Sequence, residues 1–196
     1  MKDLLRQLSQ YQLVLASKSP RRQQLLRGME IPFKVITKDT DEYFPENMPV
    51  HEIATYLSQK KSAAFALSEL PENFLLITAD TIVVKDQLVL NKPANNDEAM
   101  AMLSVLSDSS HLVITGITLR SATKSRSFDE VSEVKFGKLE TDEMVWYIDQ
   151  HQPFDKAGAY GIQEWIGYIG IESVKGSFYN VMGLPTHKLF RALKNF

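Results

Sequence analysis

The chain has 196 residues, 44% of them hydrophobic and 23% charged, with a formal net charge of −2. That length suits one domain with a substantial core, and so balanced a charge gives no field to draw nucleic acid in bulk. There is no cysteine, which excludes disulfides, thiolate nucleophiles and cysteine-ligated metal centres and fits a reducing compartment.

His51, His111, His151 and His187 are scattered without His-Glu-x-x-His spacing, which argues against a histidine-built zinc site. Charges at Lys2, Asp3 and Arg6 interrupt the first residues too often for a signal peptide. The longest clean apolar run, Phe74 to Ala79, is far short of a membrane span. A soluble, cytoplasmic protein with no membrane or nucleic-acid partner is expected.

In chain order, Leu13 to Ala16 read as a short buried strand, and a helix follows at 20–28 with Pro20, Arg21 and Arg22 in its first turn. A strand is expected from Phe33 to Thr37, then a polar loop from Lys38 to Met48. Pro49 opens a helix reaching about Leu70, with Val50, Ile53, Ala54, Leu57 and Ala64 inward. Phe74 to Ala79 reads as a central strand ending just before Asp80 and Thr81. Ile82 to Val84 and Leu88 to Leu90 form a hairpin around Asp86-Gln87.

Asn96 is expected to cap a helix that turns Ala99, Met102, Leu103 and Leu106 inward. Strands at about 111–120 and 127–138 follow, then a helix capped by Thr141 that carries Val145, Trp146 and Ile148. A glycine-rich section with one or two strands leads to a last helix near Pro185. With no repeat or linker, residues 1–196 read as a single domain of mixed α/β class with a partly antiparallel sheet.

Three stretches carry residue types suited to phosphate chemistry. At Ser17-Lys18-Ser19-Pro20-Arg21-Arg22, two hydroxyls and two guanidinium groups meet a helix N-terminus, a receptor for a polyanion. The alternative is a serine cap followed by solvated arginines. Asp80 and Thr81 lie where α/β proteins place ligands, or else form a turn. The loop Asp39-Thr40-Asp41-Glu42 is dense in the hard oxygen donors that Mg²⁺ or Mn²⁺ takes, without EF-hand spacing.

Lys92 reads as a surface lysine, and Lys61, beside Lys60, either faces a cleft or lies on a solvated helical face. In Asp155 to Gln163, glycines let the backbone approach a ligand, and the Gln163 amide can pair with a base edge as donor and acceptor. The chain lacks a phosphate-binding P-loop, a dinucleotide fingerprint and a serine-hydrolase elbow.

Ser17 to Arg22, Asp80-Thr81, Lys92-Pro93, Asp155 to Gln163, and Gly176-Ser177 through Gly183-Leu184-Pro185 together resemble the Maf family of nucleoside triphosphate pyrophosphatases, in the family's order over about residues 13–193. The resemblance implies a Maf/inosine-triphosphatase-like fold, with helices flanking a mixed sheet in two lobes around a cleft. It implies hydrolysis of an acid anhydride, releasing a nucleoside monophosphate and pyrophosphate. Arg21, Thr81 and Gln163 resemble the branch acting on dTTP and UTP, and modified pyrimidine nucleotides fit the same pattern.

Carried over residue by residue, the resemblance makes Asp80 the catalytic carboxylate. Glu42 joins Asp80 in holding Mg²⁺ or Mn²⁺, and Arg22, Lys61 and Lys92 join the Ser17 corner in contacting phosphate. Asp41 and Lys60 are near neighbours that a small shift in alignment would substitute. A carboxylate engaged on a metal is a poorer base, so the two roles of Asp80 compete. A homodimer is expected from the family alone. The competing class is a non-catalytic nucleotide-binding regulator of septum formation, since some members are associated with cell division.

Overall fold

The computed structural model describes residues 2–196. It opens with a helix that sequence reading does not anticipate, α1 (Lys2–Leu8). Leu4 and Leu8 are buried, one turn apart on one face, and α1 packs beside the last helix of the chain. β1 (Gln12–Leu15) follows, with Leu13, Val14 and Leu15 buried. α2 (Pro20–Gly28) begins as expected: Ser19 accepts the Arg22 N–H and Pro20 supplies the first turn.

The strand expected from Phe33 to Thr37 shrinks to β2 (Lys34–Val35), both of whose residues are exposed at the sheet edge. α3 (Val50–Ala63) ends seven residues short of the expected Leu70, and a 3-10 turn, Leu67–Glu69, replaces its last part. Val50 and Ala64 are half-buried rather than inward. The helix stops because Phe65 turns into a cluster with Val14, Leu70, Phe74 and Leu76. The Glu69 carboxylate then accepts the Ala66 N–H at 2.7 Å and fixes the turn.

β3 (Phe74–Lys85) runs unbroken for 12 residues, so Asp80 and Thr81 lie in the middle of a strand and not after one. The buried Asp80 carboxylate is neutralised by Lys61, which removes the reason for the strand to break there. β4 (Leu88–Leu90) folds back on β3 through Asp86 and Gln87, both at positive φ. α4 (Asn96–Leu106) is capped one residue earlier than expected, because it is Asn95 that accepts the Glu98 N–H, at 2.9 Å; Met102 is only half-buried there.

β5 (Ser110–Arg120) and β6 (Ser125–Phe136) match the expected strands within two residues. α5 (Thr141–His151) has Glu140, not Thr141, at its cap, and Met144, Tyr147 and Ile148 face inward. α6 (Trp165–Gly170), β7 (Ile171–Lys175), α7 (Phe178–Val181) and α8 (Thr186–Lys194) complete the chain. α8 starts after Pro185 as expected.

The seven-stranded mixed sheet has the order β2-β1-β3-β5-β6-β7, with β4 on β3. β1 is parallel to both β2 and β3, while β4 on β3 and β7 on β6 are antiparallel. The chain divides into two compact units. The first runs up to Asp80 and takes in Thr115–Glu130 and Gly183–Phe196; the second comprises Thr81–Ile114 and Val131–Met182.

Candidate active site

Within the first unit, α3 is pinned to the sheet by a ladder of polar contacts. The Thr78 hydroxyl donates to the Ser58 carbonyl at 2.7 Å, and the Ser58 and Thr118 hydroxyls are bonded at 2.8 Å. Gly116 lets the helix come this near: a Cβ there would lie 2.3 Å from the Ala54 carbonyl carbon. Asp80 is two residues beyond Thr78, on the same strand face, and Lys61 is three beyond Ser58, on the same helix face. The next rung is accordingly ionic, with Lys61 Nζ bonded to Asp80 Oδ1.

The same ammonium holds Glu42 Oε1 at 2.9 Å, so two carboxylates converge on one cation. The neighbouring lysine makes different pairs. Lys60 instead binds Asp41 and the Tyr43 carbonyl, and Asp39 pairs with Lys18 at the surface.

Arg22 is anchored beside Asp80 through the preceding residue's carbonyl. Its Nη1 donates to the Ala79 carbonyl at 2.9 Å and its Nε to the Gly183 carbonyl at 2.8 Å, which fixes the guanidinium plane. Burial pulls its pKa below the usual arginine value, and the neighbouring Asp80 and Glu42 charges oppose that pull. In the corner before it, the buried Ser17 hydroxyl accepts the Ser19 N–H at 3.2 Å, and Gln23 donates to the Ser17 carbonyl at 3.2 Å. Arg21 is half-buried, and its charge acts on Arg22. Ser17, Arg21, Arg22, Glu42, Lys61 and Asp80 therefore all belong to one unit.

Thr81, Lys92 and Gln163 belong to the second unit. Thr81 is half-buried in β3 and Lys92 is exposed after β4. The Asn91 carbonyl beside Lys92 accepts the Gly158 N–H at 3.2 Å, which ties that segment to the glycine-rich stretch. Gln163 is half-buried, but its Oε1 is fully buried with no hydrogen-bond partner. An orphaned acceptor of this kind is costly unless a ligand satisfies it. Lys156, Glu164 and Tyr147 form a linked set nearby; Lys156 falls in the stretch singled out above, but its link to Tyr147 does not show in the sequence. The set's one signal is a lysine among small residues at Asp155-Lys156-Ala157-Gly158.

Among the described residues no three carboxylates or imidazoles gather as a metal cage, and no helix is long and apolar enough to cross a membrane. The strand–helix corner, the mid-strand carboxylate and the glycine-rich segment are arranged in the chain order of the Maf pattern. A model of the Maf family, described as Maf-like protein, matches residues 12–196, and the chain belongs to that family.

The chain is 49% identical over 194 residues to a Parabacteroides distasonis protein named dTTP/UTP pyrophosphatase, with 98% of this chain and 100% of that one covered. A Bacteroides fragilis protein of the same name is 46% identical over 192 residues, covering 97% and 99%. One from Flavobacterium psychrophilum, again so named, is 43% identical over 183 residues, covering 93% of each.

Proposed function

We propose that this protein is a nucleoside triphosphate pyrophosphatase that hydrolyses dTTP and UTP to the nucleoside monophosphate and pyrophosphate. The observation that carries the reading is the Lys61 ammonium held between Glu42 and Asp80, with Arg22 bonded to the neighbouring Ala79 carbonyl. Relatives that share nearly the whole chain carry that activity in their names. Nucleotide binding alone needs no pair of carboxylates beside a triphosphate, so the regulator reading has nothing in its favour here. Both units serve one catalytic domain in this proposal.

In the reaction, a bond forms between a water oxygen and the α-phosphorus while the bond from that phosphorus to the bridging oxygen breaks. Asp80 takes the water's proton, and pyrophosphate leaves with the electron pair. Negative charge builds on the departing group, and Arg22, Lys61 and Lys92 offset it. The Ser17 hydroxyl, whose oxygen already accepts the Ser19 N–H, donates its own hydrogen to a phosphate oxygen.

Glu42 and Asp80 would hold a divalent cation, since their hard oxygens converge at the Lys61 ammonium, and as far as Asp80 serves the metal it serves less as a base. Two carboxylates plus substrate oxygens and water suit Mg²⁺ or Mn²⁺. When bound, the ion supplies Lewis-acid stabilisation of the triphosphate charge.

Uracil and thymine present an N3–H between two carbonyl oxygens. The unpaired Gln163 Oε1 accepts that N–H and its amide donates to an adjacent oxygen, with Arg21 and Thr81 completing the selection. A cytoplasmic location, among the free nucleotides it would consume, and a homodimer complete the proposal.

Incubation with UTP, dTTP, CTP, ATP and GTP plus Mg²⁺ or Mn²⁺ tests it, with pyrophosphate and monophosphate both quantified. UTP and dTTP should be consumed first, in equal yields of the two products. Release of single phosphates, or tight UTP binding without turnover, would overturn the reading, the latter in favour of a regulator.

A further inference from the structure

An ionic chain that the reaction above does not use runs beside Gln163, entirely within the second unit. The buried Lys156 ammonium holds Asp155 Oδ1 at 2.6 Å and Glu164 Oε1 at 3.1 Å. The other Glu164 oxygen accepts the Tyr147 hydroxyl at 2.5 Å, and the Tyr147 oxygen accepts the Gly161 N–H at 3.2 Å. Tyr147 is fully buried and stacks on His151 with ring centroids 5.0 Å apart. The chain of contacts thus begins at an ammonium and ends on the backbone two residues before Gln163.

That backbone is a closed turn, with the Glu164 N–H donating to the Gly161 carbonyl at 2.9 Å. The Gln163 and Glu164 side chains fold over the bare Gly161 Cα. A Cβ at that position would meet the Glu164 carboxyl carbon at 2.8 Å and Gln163 Nε2 at 3.0 Å. The Gln163 amide nitrogen therefore lies against Gly161, while its oxygen is buried without a donor. A carboxamide with an unsatisfied acceptor turns toward any donor within reach unless its surroundings hold it.

We propose that Glu164, itself held by Lys156 and Tyr147, is a positioning residue that locks the Gly161–Glu164 turn and keeps the Gln163 carboxamide in one orientation for a pyrimidine N3–H. This rests on the reading of Gln163 as the base contact. Glu164 touches neither phosphate nor base; its effect passes through the turn. Because the site is preformed, losing the lock weakens substrate binding more than the chemical step.

The test is steady-state kinetics of the whole protein with UTP, dTTP and CTP, for Glu164→Ala, Glu164→Gln, Tyr147→Phe and the Glu164→Ala/Tyr147→Phe double variant, with Gln163→Ala as reference. Glu164→Ala should raise KM for UTP and dTTP about tenfold while kcat stays within about twofold, and the preference for UTP over CTP should fall by a similar factor. Tyr147→Phe should act in the same direction, and the double variant should be no worse than Glu164→Ala, as expected for residues acting as one unit. Glu164→Gln, which keeps an oxygen for Tyr147, should recover most of the loss.

An unchanged KM for UTP in both Glu164→Ala and Tyr147→Phe would overturn the proposal, as would an equal drop in kcat for all nucleotides. Should Glu164→Ala fail to fold, Tyr147→Phe decides alone. If Gln163→Ala leaves the UTP preference intact, the base contact itself is wrong and the positioning role goes with it. If Gln163→Ala abolishes the preference and the Glu164 and Tyr147 variants do not touch it, only the positioning role is lost.

Discussion

A single carboxylate organises the first unit's charges. Asp80 is 5% exposed, and a buried carboxylate is tolerated only when paired; Lys61 supplies the partner. Asp80→Asn keeps the shape and removes the charge, and Lys61 retains Glu42. Turnover of UTP should fall roughly 10²–10⁴-fold, the usual contribution of general acid–base catalysis, with the melting temperature little changed. Pyrophosphate release near the wild-type rate would remove Asp80 from the chemistry.

A second residue carries a pH signature instead. His111 Nε2 is bonded to the Tyr160 hydroxyl at 2.8 Å and its ring stacks on Phe136. Burial, aided by the Lys85 charge, pushes its pKa down to about 4. The unfolded chain takes up this proton near pH 6.5 and the native one only near 4, so stability is intact above the upper value and drains away as pH falls toward the lower. The loss is about 3 kcal/mol for a single site, and His111→Gln should flatten that part of a urea-midpoint profile against pH. Residue types alone do not tell which of Lys60 and Lys61 reaches Asp80, because helical phase is set by Ser58 and Thr78, 20 residues apart.

Among the elements, α3 matters most, because its register against β3 and β5 decides where Lys61 points. Gly116→Ala would drive a methyl into the Ala54 backbone and push the helix outward. Overpacking of this kind costs about 1–3 kcal/mol, or about 2–4 °C of melting temperature per kcal/mol at this chain length. Activity should drop out of proportion to stability, since a displacement of about 1 Å at Lys61 is enough to cost on the order of 10²-fold. A Gly116→Ala protein that melts lower but turns over UTP normally would show that the helix yields without moving Lys61.

Elements with their own local signal were legible: α2 from Ser19-Pro20, the β3–β4 hairpin from its apolar runs, α8 from Pro185. Those decided by distant partners were not. α3 stops where Phe65 finds Val14 and Phe74, and β3 continues through Asp80 only because Lys61 arrives from another element. Among the described side chains of α1 the buried ones are Leu4 and Leu8, too little signal to announce a helix.

At the scale of the molecule, the fold class and family could be read from the chain because several motifs keep their order over most of its length. Two lobes were implied by the resemblance, but which residues make up each compact unit could not be read, since each is assembled from separate segments. β3, β5 and β6 each pass from one unit to the other, so the units should lose structure together. The two tryptophans, Trp146 and Trp165, both lie in the second unit, so their fluorescence reports that unit alone. Urea transitions followed by tryptophan fluorescence and by far-UV circular dichroism should coincide; a fluorescence transition at lower urea would mean that the second unit melts by itself.

The two acids that grip Lys61 come from unlike surroundings. Asp80 is set in the interior of a 12-residue strand, whereas Glu42 belongs to a stretch with no regular structure. One half of the grip is as stiff as the sheet, and the other can be redrawn by changes in a surface loop. Inheritance and engineering thus have unequal freedom here: the Glu42 side of the grip is open to revision through residues 38–48, while the Asp80 side is fixed by the architecture.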